Sequence, residues 1–564
     1  MRKLTTLTLV AGAAVVLTSC SKLGALSADN FNVTPTPLEA QGGQVPATIS
    51  ATFPKKYMKK KAEVTVVPVL VYNGGEEVAA GSTFRGEKVE TNATEVAYKA
   101  GGTYTMRASF PYREEMMQSD LVLRFDARLG NKSVKIPQVK VGYGVVATSD
   151  LLKHTIGTTN PALAPDAYQR IIEQRQEAQI MYLVNQANIR ASELRTTSIR
   201  DFAAILKEIN DNQETLQLQN IEVSAYASPE GSFDFNEQLA QRRQESGAGY
   251  VRQQLRQNHM QADVATHFTA EDWEGFQLLV SQSDIQDKDV ILRVLSMYQD
   301  PAEREQQIRN MSVVYDELKN GILPELRRAR LIATYNVIGR SDEQIVDQYA
   351  TDAAQLSIEE LLYGANLQTD AAQRKAWYER ATQLYPQDAR AYNNLAKLAY
   401  QAGDMQTAAA QLAKAKSLDA SNNAVATNEA LMALAQGDVA AAEAALARGT
   451  GSDTYNEMMG NLSLAKGNYA AAAASLTGVN TNTAALAQIL SKDYASAMRT
   501  LSNIENADAY TSYLSAILAA RQGNSSAVVS NLQSAVQQDP TLAQRAARDL
   551  EFAQYAAQIA GIVR

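Results

Sequence analysis

Cysteine is almost missing from these 564 residues: there is one, Cys20. A lone cysteine excludes an internal disulfide. Histidine is nearly as scarce, with His154, His259 and His267 the only three. No HExxH pair, Walker loop, dinucleotide glycine fingerprint or Gly-x-Ser-x-Gly elbow occurs anywhere in the chain. The sequence therefore names no metal ligands, no cofactor and no catalytic residue, and we read the chain as non-enzymatic. Carboxylates are abundant, so composition alone leaves a paired-carboxylate hydrolase open. An excess of positive charge is also missing. The formal net charge is -8, which argues against a nucleic-acid partner. Beyond the N-terminus no run is long and apolar enough to span a bilayer.

What is present begins at the N-terminus. Arg2 and Lys3 precede a short apolar stretch over residues 4–17, followed by Leu17-Thr18-Ser19-Cys20. This resembles a lipoprotein signal (residues 1–19) with a lipobox, and implies diacylglycerol on Cys20. Ser21-Lys22-Leu23-Gly24 follows, with neither an aspartate after the cysteine nor an acidic run. That pattern favours the outer membrane, lipid-anchored and facing the periplasm.

At about 150 residues per domain the length suggests three or four domains. Residues 20–147 read as an all-β, Ig-like β-sandwich. Alternation is plain at 62–72, 103–110, 121–125 and 134–136, with turns at Gly74-Gly75 and Gly101-Gly102. The basic run at 55–61 reads as a solvated loop guarding a strand edge, or as a contact for anionic head groups. Residues 148–168, with Pro161 and Pro165, read as a linker. Residues 169–340 mix strand and helix. Strands are expected at 180–184, 221–226, 264–268 and 330–337, with helices at 194–209 and 234–258. Asp234 and Glu237 suggest a capping box. Residues 341–564 are helical and repetitive. Gly403-Asp404, Gly437-Asp438, Gly467-Asn468, Lys492-Asp493 and Gly523-Asn524 recur every 25–34 residues. A small or β-branched residue follows each pair (Ala408, Ala442, Ala472, Ala497, Val528), then a leucine (Leu412, Leu446, Leu476, Leu501, Leu532). This resembles the tetratricopeptide repeat (TPR), whose stacked helical hairpins offer a concave surface to a protein partner.

The segment IEVSAYASPEGSFDFNEQLAQRR, residues 221–243, carries the most specific signal. With IMYLVNQANIRASEL upstream and RRARLI at 327–332, it resembles the OmpA-like family, in a version common in Bacteroidetes. The resemblance implies an α+β domain of βαβαβ order with a helical insertion, which binds the diaminopimelate end of a peptidoglycan stem peptide. It implies that Arg243 pairs with a ligand carboxylate, a role suited to the guanidinium fork. Asn236, two turns earlier on the same helix face, would supply amide hydrogen bonds. Phe235 takes the family's aromatic position and Gly231 its turn. The departure is Ser228, where the family has an aspartate for the ligand ammonium. Glu230, two residues on, is the candidate to replace that charge.

The sequence is thus read as a multidomain outer-membrane lipoprotein: β-sandwich, OmpA-like domain and TPR-type solenoid. Its expected role is to tether membrane to peptidoglycan and to scaffold a protein partner on the repeats. The alternative is a TPR adaptor of a secretion, fimbrial or nutrient-uptake assembly whose OmpA-like domain no longer binds peptidoglycan.

Overall fold

The alternation seen between residues 31 and 146 folds into two mainly antiparallel layers and a short parallel pair, Leu38–Glu39 with Val145–Val146. The computed structural model describes residues 23–310 and 312–563; Cys20 and the signal segment lie outside the described residues. The smaller layer orders Phe31–Thr34, Gln44–Phe53 and Gly102–Pro111, with Gln44–Phe53 central. The larger is built on Ala62–Tyr72, flanked by Ser119–Leu129 and Ser82–Arg85. Val45, Ala47, Ile49, Ala51 and Phe53 point inward from one strand, as a period of two requires, and meet Val64, Val66 and Leu70 in one core. In the basic run Tyr57 and Met58 are buried while Lys55, Lys56, Lys60 and Lys61 are exposed, as a solvated loop requires.

The chain divides into two compact units. One combines the residues up to Asp166 with those from Gln368 onward; the other is Ala167–Leu367.

In the first unit the C-terminal part is a helical repeat array of five successive hairpins, from Ala389–Gln401 with Met405–Leu418 to Ala509–Arg521 with Ser525–Gln538. The paired turn residues explain the hairpins. Gly403, Gly437, Gly467 and Gly523 have φ between +76° and +79°, which ends one helix without a Cβ penalty. Asp404, Asp438 and Asn524 then cap the next helix by accepting the backbone N–H three residues on. Lys492 fills the glycine position at φ +67°, and Asp493 still caps. All five small or β-branched positions and all five leucines are buried. Gly460 permits close hairpin contact: a Cβ there would lie 2.5 Å from Leu476 Cγ.

The second unit holds a four-stranded sheet ordered Ile171–Met181, Arg328–Ile338, Leu216–Tyr226, Val264–Thr269; the last two are parallel and the other pairings antiparallel. Helices Thr197–Asp211 and Phe233–Gln257 share a core with the sheet through Ile199, Phe202, Leu206, Val251, Val223 and Leu331. Gly247 lets the long helix approach, since a Cβ would sit 3.1 Å from Val223 Cγ1. Helices between Trp273 and Leu326 form a satellite core around Phe276, Val280, Ile291 and Leu318.

Four expectations need correction. The first strand is Ile171–Met181, not 180–184: its outward Glu173, Arg175 and Glu177 hide the alternation, yet it pairs with Arg328–Ile338 along its whole length. The long helix is capped at Ser232 without a side-chain bond, so Asp234 sits in the first turn and no capping box forms. The helical part does not begin a new unit at 341. Asp342–Asp352 and Ile358–Leu367 stay with the sheet, tied by Arg340–Glu360 at 2.9 Å and Tyr363–Asp342 at 3.0 Å. Residues 148–166 are not a free linker. They begin in short helical turns and run on, extended, through the repeat array of their own unit.

Candidate functional site

The loop after Leu216–Tyr226 and the start of the long helix bring Ser228, Glu230, Asn236 and Arg243 onto one side of the second unit. Backbone bonds Ala227 N to Thr269 O and Asp272 N to Ala227 O hold the loop. Gly231, at φ +105°, turns it into the helix and donates its N–H to Glu305 at 2.8 Å. Ser228 Oγ donates to Glu230 Oε2 at 2.8 Å, and the same carboxylate oxygen accepts from Arg327 Nη2 at 2.7 Å. Glu230 thus stands beside Ser228 but is already neutralised by Arg327. Phe235, at the aromatic position, is exposed.

Arg243 is 1% exposed. Its Nε, Nη1 and Nη2 donate to the carbonyls of Gln186 (3.0 Å), Tyr226 (2.9 Å) and Leu183 (3.2 Å), and Tyr182 lies under its guanidinium. Burial pushes its pKa down to about 10. Three of its five N–H groups therefore brace the sheet's loops. Asn236 is 2% exposed, and its amide nitrogen has no hydrogen-bond partner. It lies close to Glu271, whose pKa burial raises against the opposing pull of the Trp273 and Asn236 side chains; Trp273 Nε1 donates to Glu271 Oε2 at 3.0 Å.

A second site, which the sequence reading missed, lies in the first unit. Residues 155–166 run along the inner helices of the array in the direction opposite to the repeats. Thr483 Oγ1 donates to Thr155 O at 2.9 Å, and Asn461 Nδ2 to Thr159 Oγ1 at 3.0 Å. Asn428 grips Ala162 at both ends, accepting its N–H at 2.7 Å and donating to its carbonyl at 2.9 Å. Asn394 does the same to Ala164, at 2.8 and 3.0 Å. Arg390 Nη1 donates to Asp166 O at 2.9 Å. Glu457 accepts from Asn160 N, Tyr400 donates to Ile156 O, and Lys397 donates to Pro161 O. Burial raises the Glu457 carboxyl and lowers Lys397. A signal for these contacts was present. Asn394, Asn428 and Thr483 each stand nine residues before a turn pair, a polar residue where an inner helix would otherwise be apolar.

The molecule is therefore a chain with a strand-rich N-terminal region and a C-terminal helical repeat region. No family model matches it, and no curated protein matches it. Solved structures do. A tetratricopeptide repeat protein from Parabacteroides merdae is 12% identical, covering 35% of this chain and 85% of its own, with a TM-score of 0.26. The pilF protein of Pseudomonas aeruginosa is 19% identical, covering 39% of this chain and 100% of its own, at 0.27. The type IV pilus biogenesis factor PilW is 19% identical, covering 30% and 87%, at 0.24. Likeness at these scores carries no argument about function. Among the described residues no helix is long and apolar enough to cross a membrane.

Proposed function

We propose that the chain is a non-catalytic adaptor of the cell envelope. On this reading it is held to the outer membrane by lipid on Cys20, faces the periplasm and carries protein segments on its repeat array. The observation that carries the reading is the asparagine series of the inner helices, which holds an extended chain by its backbone. Bonds to backbone amides and carbonyls need no particular side chain on the occupant. The unit 167–367 is then an OmpA-like module whose stem-peptide site has lost its free charges. Ser228 brings none, Glu230 is paired with Arg327, and Arg243 braces the fold.

The competing reading, a peptidoglycan tether, is favoured by one feature. Asn236 is a buried amide facing Glu271 whose nitrogen makes no short hydrogen bond, as a site completed by a polar ligand would have. Retention of the full chain on purified sacculi separates the two. The adaptor reading expects no retention of the wild type above a control lipoprotein, and a gain on Ser228→Asp. Wild-type retention that is lost on Asn236→Ala would overturn it in favour of the tether.

A further inference from the structure

The array's groove is filled, but not fully satisfied. Asn428 and Asn394 each make the bidentate grip on a backbone residue, on Ala162 and then Ala164. Asn461 does not. It reaches only the Thr159 hydroxyl, and its own Oδ1 is buried without a partner. An orphaned acceptor on a residue with no exposed surface costs about 1–3 kcal/mol in a settled interior. The chain's own segment thus leaves one polar group of the series unmet, and an extended segment bringing a backbone N–H to Asn461 would meet it.

We infer that this groove is a peptide-binding site and that residues 155–166 are its built-in competitor, which a partner's segment must displace. The inference rests on the adaptor reading and goes further by naming the ligand class and what stands in its way. The ligand is an extended, uncharged segment with small residues at alternate positions. Ala162 and Ala164 are fully buried in contact with Ala424, so larger side chains do not fit at the two clamps. No residue from 155 to 164 is charged. Because the occupant is tethered, its effective concentration is high, in the mM range for short linkers, and a partner present at micromolar levels must bind more tightly than the tethered copy.

Two measurements on the full chain test this. In hydrogen exchange of the wild type, the amides of Ala162 and Ala164 should exchange at least tenfold faster than those of Ala430 and Ala485 in the inner helices, through a local opening. Equal rates would mean that the segment leaves only when the unit unfolds, and would overturn the inference. In the second, a fluorescein-labelled peptide of residues 155–166 is titrated into Ala162→Arg/Ala164→Arg. Binding at least tenfold tighter than to the wild type is expected, with a roughly tenfold loss on adding Asn428→Ala, since two neutral bonds go. An evicted variant with its helical circular dichroism intact that fails to bind would overturn it. If that variant loses its helical signal, hydrogen exchange decides alone. Neither result bears on sacculus retention, so the adaptor reading can fail separately.

Discussion

Replacing Arg243 should unfold the second unit before it reports on any ligand. The guanidinium has three charge-assisted bonds to backbone carbonyls, each contributing about 1.5–3 kcal/mol net. Those net values already count the hydration the guanidinium gave up, and Leu183 and Gln186 lie at exposed positions where water can take over their carbonyls, so the low end of the sum, about 4 kcal/mol, applies. Arg243→Ala should therefore cost about 4 kcal/mol by that sum, and also leaves a cavity. Arg243→Lys keeps the charge but has no fork to reach all three carbonyls, and should cost about 2 kcal/mol. The chain has two tryptophans, of which Trp273 lies in this unit and Trp377 in the other. Urea unfolding in a Trp377→Phe background, followed by Trp273 fluorescence, therefore reports on the correct unit. An unchanged midpoint in Arg243→Ala together with loss of sacculus retention would refute the bracing role and return the guanidinium to a ligand. For the same reason loss of wall binding in Arg243→Ala alone proves nothing, and Ser228 and Asn236 are the better probes.

Two further outcomes follow from the first unit. Lys492 holds φ +67° where the other turn pairs of this kind have glycine, and left-handed backbone costs a side-chain-bearing residue about 1–2 kcal/mol. Lys492→Gly should raise the unfolding free energy of the array by about 1 kcal/mol once the greater freedom of the unfolded glycine is subtracted, seen as a higher midpoint in denaturant; a lower midpoint would contradict the turn assignment. Burial raises the Glu457 carboxyl above its ordinary pKa of 4.5. The folded unit thus keeps a proton that the unfolded chain has lost, so this group's contribution to stability declines as pH rises from about 4.5 through the raised value and is level above it. Glu457→Gln keeps an acceptor for Asn160 and removes the titration. Measured by thermal unfolding, the variant should gain on the wild type as pH rises across that window, and a difference that does not change with pH would show that Glu457 does not titrate there.

How much of this was legible in the sequence depended on where the signal was stored. Turn chemistry is local, so the Gly-Asp pairs and the small and leucine positions four residues apart located the hairpins. The sandwich strands were legible because their alternation is a burial pattern. Ile171–Met181 was missed because most of it faces solvent with Glu173, Arg175 and Glu177; its place comes from pairing with Arg328–Ile338, more than 140 residues away in sequence. The candidate site was legible as a motif and not as a geometry. Residues 228–243 do converge, but only the fold shows that Arg327 takes the Glu230 carboxylate and that backbone carbonyls take Arg243.

The stretch read as a linker teaches the same lesson in reverse. Pro161 and Pro165 mark residues without an N–H to donate, which suits a loop. They equally suit an extended segment whose two intervening clamped residues, Ala162 and Ala164, are the ones that do have an N–H for Asn428 and Asn394. A shift of register by one residue toward the C-terminus would present Pro165 to Asn394, which would then lack a donor. It would also force Leu163 into a slot that buries an alanine completely. Shifting the other way puts Pro161 at Asn428 and Leu163 at Asn394, with the same two penalties. The sequence around these prolines therefore disfavours a one-residue slip in either direction, and composition alone could not separate that outcome from a loop because the partners lie 230 and 266 residues away.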